Sequence, residues 1–179
     1  YTTMGMDNFQ KTETYSGFSD IPSDAWYVND VKEVCELGLM NGKSADKFDP
    51  NGTLTLAEAV TVAARISSIY HGGDFVSGGN PWYSNAVTYA TDHGIVSNGQ
   101  FLDFTKLATR TNFANILYKS IPSDEFTQIN QVDQIPDVTP GSANAEIIYS
   151  LYQAGVLTGG SDGSFKPNDS ITRAEVAAI

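Results

Sequence analysis

The sequence predicts an all-α module of three helix-loop-helix repeats sharing one core around an approximate threefold axis. Three observations predict it: self-similarity at a period of about 55 to 60 residues, a glycine-ended apolar helix in each period, and a threonine-led helix start following each glycine. Set in register, Gly38, Gly94 and Gly155 are each preceded at twelve residues by Trp26, Trp82 and Ala143. Apolar residues match between them, Val31 with Val87 and Ile148, and Val34 with Ala90 and Leu151. These segments read as first helices of about three turns. Each ends at a glycine able to take the left-handed conformation, followed by an apolar pair: Leu39-Met40, Ile95-Val96 and Val156-Leu157.

Loops rich in Gly, Asp, Asn and Pro follow. Ten residues after the glycine stand Phe48-Asp49-Pro50-Asn51 in the first copy and Phe165-Lys166-Pro167-Asn168 in the third, an aromatic plug with a proline stop. Second helices open at Thr55, Thr109 and Thr172, which lie 17, 15 and 17 residues after the glycines. Glu58 and Glu175 complete a capping box with Thr55 and Thr172, whereas Asn112 leaves the middle copy with only the threonine half. One such helix pair buries too little apolar surface to stand alone, so the copies are expected to share a core lined by the first helices. The divisions are a leader over 1–17 and repeats over 18–71, 80–124 and 135–179, the last helix reading as cut short at Ile179.

Composition narrows the function. With 41% hydrophobic and 17% charged residues the chain has the apolar content for a core, unlike a disordered acidic tail. A net charge of −11 argues against diffuse attraction to nucleic acid or an anionic membrane, so an anionic ligand would need a few placed cations. Cys35 is the single cysteine, and no Cys/His cluster is spaced for zinc. No run of about 18 apolar residues spans a bilayer, and the first ten residues lack the pattern of a signal peptide. Low charge, many small polar residues and almost no cysteine lean toward an exported bacterial protein.

The spaced set resembles the S-layer homology family. Copy three carries it most fully, as Pro136-Asp137-Val138, Gly155-Val156-Leu157, Asp162-Gly163-Ser164-Phe165-Lys166-Pro167 and Ile171-Thr172-Arg173-Ala174-Glu175, and copy one adds Phe18-Ser19-Asp20-Ile21 and Trp26. The resemblance implies a three-pronged pseudo-trimer that binds secondary cell-wall polysaccharide in grooves between neighbouring repeats. It also implies that an arginine at the start of the second helix contacts a carboxylate on the sugar, often a pyruvate ketal. The partner would be wall polysaccharide attached to peptidoglycan, the location the Gram-positive cell surface, and the chain a monomer attached to a larger surface protein. The motif is broken at Leu56, where arginine is expected, at Asn112, where glutamate is, and at Ala143, where tryptophan is.

Arg110 and Arg173 are the expected sugar contacts, since an arginine fork suits a carboxylate and a helix N-terminus favours an anion. As bare first-turn residues they oppose the helix dipole at about 0.3–1 kcal/mol, so Ala variants are expected to fold while losing affinity. Trp26 and Trp82 stay open between stacking on a sugar and plugging the gap between repeats. Asp20 and Asp137 stay open between a sugar hydroxyl and a cap on the first helix, the cap being preferred. No enzyme is predicted, because His71 and His93 have no nucleophile or carboxylate arrangement beside them. No cofactor or metal is expected, and Lys47, Asp49 and Asn51 fail the ligand spacing of a calcium loop. The rival reading is a structural or protein-interaction module of degenerate repeats whose arginines splay into water.

Overall fold

A computed structural model describes residues 6–73, 75–76, 78–159 and 162–179. Each segment opens with a nine-residue helix starting two residues after Trp26, Trp82 or Ala143: α1 (Val28–Glu36), α3 (Ser84–Asp92) and α5 (Ala145–Gln153). All three end in the same way. Gly38, Gly94 and Gly155 take φ of 75°, 73° and 77°, and the next residue donates back into the last turn, Leu39 N to Val34 O, Ile95 N to Ala90 O and Val156 N to Leu151 O. This closure satisfies carbonyls that would otherwise face an apolar neighbourhood.

The second helices are α2 (Leu56–Tyr70), α4 (Arg110–Tyr118) and α6 (Arg173–Ala178), with Thr55, Thr109 and Thr172 as extended N-caps. The capping box is complete in every segment, including the middle one. There Asn112 Oδ1 accepts from the Thr109 amide at 2.9 Å while Thr109 Oγ1 accepts from Asn112 N at 3.0 Å. The expectation of half a box at Asn112 is therefore corrected: its amide oxygen, although one methylene shorter in reach than a glutamate's, still meets the Thr109 amide.

The first helices line the core unevenly: α5 buries Ala145, Ile148, Leu151 and Tyr152, whereas α1 and α3 bury little. Only Val31 is buried in α1 and only Ala86 and Ala90 in α3, while α2 buries residues around most of its circumference. Small side chains at Ala57, Ala59, Ala63 and Ala64 let neighbours approach α2 closely from several directions. At the centre sit the residues just before each cap, Leu54, Ala108 and Ile171, with 0%, 0% and 1% of their surface exposed. Their backbones close a ring: Leu54 N donates to Ile171 O at 3.1 Å, Ile171 N to Ala108 O at 3.2 Å and Ala108 N to Leu54 O at 2.9 Å. Each segment is thereby hydrogen-bonded to both others, pairing backbone groups that a dry centre would otherwise strand.

Helices of one segment belong to different packing pairs. α2 packs on α3, α4 on α5 and α6 on α1, so each second helix meets the first helix of the following segment, and the last returns to the first. The order is repeated at the helix starts, where Ala57 N donates to Phe104 O, Thr111 N to Pro167 O and Ala174 N to Pro50 O. Phe104 lies ten residues after Gly94 and is the middle segment's counterpart of Phe48 and Phe165. From the predicted leader, Asn8 Nδ2 donates to Tyr70 O and Glu13 N to Glu36 O, tying residues 6–17 to α2 and α1, and residues 1–5 lie outside the described residues.

Candidate functional site

The cyclic packing brings side chains from three segments together at the junctions. At one junction Arg173 runs from the start of α6 into the loop of the first segment, leaving 6% of its surface exposed. Its Nε donates to Phe48 O at 2.8 Å, its Nη2 donates to Asn41 O, and its guanidinium lies 4.5 Å from the centre of the Phe48 ring. Glu58, from the capping box of α2, faces it at 3.7 Å and accepts from Lys43 Nζ at 3.1 Å. Burial pushes the Glu58 carboxyl up, but the Lys43 hydrogen bond and charge and the Thr55 donors outweigh it and hold it below the usual range. These groups line a cleft of roughly 220 Å³ with Trp82, Asn41, Thr61 and Arg65.

The second junction repeats this arrangement one step around the ring. Arg110 reaches from α4 to the last segment's loop, donating from Nε to Phe165 O at 2.6 Å and lying 5.2 Å from the Phe165 ring centre. Its Nη1 pairs with Glu175 of α6. Trp26, Lys166, Thr172 and Glu175 line the adjoining cavity of roughly 450 Å³. Each cleft therefore takes its tryptophan, glutamate and arginine from three different segments. The rings remain open to solvent, Trp26 at 67% and Trp82 at 53% exposure. They pack edge-on against Tyr27 and Tyr83 at 5.1 and 5.4 Å, which fixes each indole while leaving much of it uncovered.

The arginines are thus neither bare surface residues nor free ligand contacts: each is a strut between segments with its remaining N–H groups at a cleft. The expectation that their loss leaves folding intact does not fit Arg173, because its own buried side chain serves the Phe48 and Asn41 carbonyls and faces the partly buried Glu58 carboxylate. Asp20 and Asp137 also differ from the preferred cap. The N-caps of α1 and α5 are Tyr27 and Asn144, with no side-chain capping bond. Asp20 instead accepts from the amides of Phe48 and Asp49 at 2.9 and 2.7 Å, and Asp137 from those of Phe165 and Lys166 at 2.8 and 2.7 Å. Each carboxylate clamps the loop where Asp49 and Lys166 take left-handed φ of 61° and 59°. The clamp presents the Phe48 and Phe165 carbonyls to the arginines.

Burial raises the Asp20 carboxyl's pKa, and the two amides and Lys47 more than reverse this, leaving it below its ordinary value. A depressed folded pKa means the contribution is complete above the unfolded value near 3.9 and is lost as pH falls through the lower folded one. Asp20→Asn, which keeps one acceptor, is expected to cost about 1–2 kcal/mol at pH 7. It should also remove part of the stability the parent loses below about pH 4, so urea midpoints of parent and variant converge in acid. A constant gap from pH 7 to pH 2.5 would contradict the clamp.

The third junction departs from the other two at all three positions. Leu56 N donates to Lys106 O at 2.8 Å, as Arg173 N does to Gly52 O and Arg110 N to Asp169 O. By the same rotation the positions of arginine, glutamate and tryptophan are here filled by Leu56, Asn112 and Ala143. Leu56 is buried, Asn112 is used by its own cap, and Asn115 Nδ2 donates to Asn144 Oδ1 at 2.8 Å, linking α4 to the start of α5. Three departures far apart in sequence therefore belong to one place. Lys43, Arg65, Asn41 and Phe104 were not identified from sequence; only Phe104 carried a signal, its distance from Gly94.

The S-layer homology domain model matches residues 17–60 and 134–177, the segments holding Asp20, Trp26, Glu58, Asp137, Arg173 and Glu175. Along its length the chain is similar to an S-layer protein of Bacillus thuringiensis subsp. finitimus, 23% identical over 165 residues covering 89% of this chain and 20% of that protein. A cellulosome-anchoring protein of Acetivibrio thermocellus is 26% identical over 79% of this chain and 34% of its own length. An amylopullulanase of Thermoanaerobacterium thermosulfurigenes is 25% identical over 90% of this chain and 9% of its own length. The chain spans about a fifth of the length of the first of these relatives. Residues 17–60 and 134–177 are thus the segments in which this chain is similar to S-layer homology domains.

Proposed function

We propose that this chain is a non-catalytic anchor that holds an attached protein on the surface of a Gram-positive bacterium by binding anionic, pyruvylated secondary cell-wall polysaccharide. S-layer homology domains attach surface proteins to the cell wall, and the relatives include S-layer and cellulosome-anchoring proteins. The observation that carries the reading is the convergence, in each of two clefts, of an exposed indole, a guanidinium and hydrogen-bonding groups drawn from three segments. An indole offers a flat face to a sugar ring, and a guanidinium held against a carbonyl and a ring is oriented in advance for a carboxylate. The middle segment is read as a third, diverged repeat, and the Leu56–Asn112–Ala143 junction as silent, so two clefts bind. A module with splayed arginines would offer no such clefts. Catalysis is not proposed: His71 Nδ1 and His93 Nδ1 are engaged by the Ser67 and Tyr89 carbonyls at 2.8 Å each.

The reading is tested by sedimenting the purified chain with Gram-positive cell-wall sacculi before and after acid extraction of the wall polysaccharide. Binding to intact sacculi that EDTA leaves unchanged and acid extraction removes is expected. Equal sedimentation with stripped sacculi would exclude the polysaccharide as the partner.

A further inference from the structure

The cleft formed by Arg173, Glu58 and Trp82 contains a cation that the recurring arrangement does not account for. Arg65, in the third turn of α2, lines it beside Lys43 and Arg173, and Glu58 is the single carboxylate in that lining. Three of the chain's ten Lys and Arg side chains thus gather around one carboxylate in a molecule of net charge −11. Glu58 is shared by Lys43 and Arg173, whereas Arg65 forms no ion pair among the described residues. One N–H of its guanidinium, on Nη1, donates to Leu39 O at 3.2 Å. The side chain is half-buried, and this burial alone lowers the pKa of the guanidinium from its usual value. A partly desolvated cation held by one carbonyl, with further N–H donors in a cleft, is incompletely compensated, and an anion brought there would complete it.

We propose that Arg65 is a second anion contact in this cleft, so that the cleft takes a saccharide stretch carrying two negative groups, one met by Arg173 and one by Arg65. This rests on the anchoring function above and adds a charge requirement to it. Asn41 and Thr61 lie in the same lining and offer donors and acceptors for hydroxyls between the two charges, while the Trp82 indole supplies an apolar face. The cleft would then discriminate by charge spacing along the polymer, because a saccharide with one carboxylate leaves Arg65 unmatched.

The test uses two probes in a Trp26→Ala background, which silences the other cleft: a methyl hexosaminide with one pyruvate ketal, and a disaccharide in which a neighbouring glucuronate adds a second carboxylate. Calorimetry on the parent background should show the disaccharide binding about tenfold or more tighter than the monosaccharide. Arg65→Gln, which keeps a donor for Leu39 O, should erase that gain while lowering monosaccharide affinity far less, and Arg65→Lys should restore part of it. A gain that survives in Arg65→Gln would overturn the proposal, as would an equal loss for both probes. If the background protein binds neither probe, the anchoring function itself fails and this inference with it.

Discussion

Arg173→Ala is expected to destabilise the fold by about 3–5 kcal/mol, chiefly because two carbonyl acceptors lose their donor at about 1–3 kcal/mol each. The side chain is 6% exposed and links α6 to the Phe48 and Asn41 carbonyls, the Phe48 ring and Glu58. Truncation strands two carbonyls and removes a cation from a cluster in which Lys43 then faces Glu58 alone. For a chain of this size the loss corresponds to a fall in Tm of roughly 10 °C or more. Arg173→Lys keeps the charge but loses the fork that serves two carbonyls at once, so its melting point should lie between. A melting point for Arg173→Ala within about 2 °C of the parent would mean the strut contributes little.

The tryptophans are expected to behave in the opposite way. Trp26→Ala with Trp82→Ala should abolish sacculus binding while shifting stability by no more than about 1–2 kcal/mol, because each indole gives up one edge contact with a tyrosine. Loss of an aromatic anchor costs about 2 kcal/mol or more per site. When two sites act on one polymer, losing both forfeits avidity of about a hundredfold or more in addition. Sedimentation with sacculi reads the first effect and a thermal melt the second. A double variant that melts like the parent and still sediments with sacculi would remove the indoles from the binding account.

Local chemistry was legible in the sequence because it is written in short-range spacing. The glycine terminations and threonine caps depend on residues within one turn, and the helix starts after Thr55, Thr109 and Thr172 followed from them. The association of segments was less legible. Nothing in a helix-loop-helix pattern states that a second helix packs on the next segment's first helix, or that residues before the caps form the central ring. That association decides what the polar residues do. Asp20 looks like a cap until the loop 28 residues later returns to it, and Arg173 looks exposed until the first segment closes over it. Arg65 had no repeated spacing to mark it. The departures at Leu56, Asn112 and Ala143 could be seen one by one, but their common junction follows only from the closed order of the ring.

On the proposed function, two of the three junctions bind sugar and the third does not. Titration calorimetry with the singly ketalised methyl hexosaminide counts the sites directly. Two molecules are expected to bind per chain in the parent and one in each of Trp26→Ala and Trp82→Ala. Three bound in the parent would show that the Leu56–Asn112–Ala143 junction is competent, and none would contradict the clefts as sugar sites.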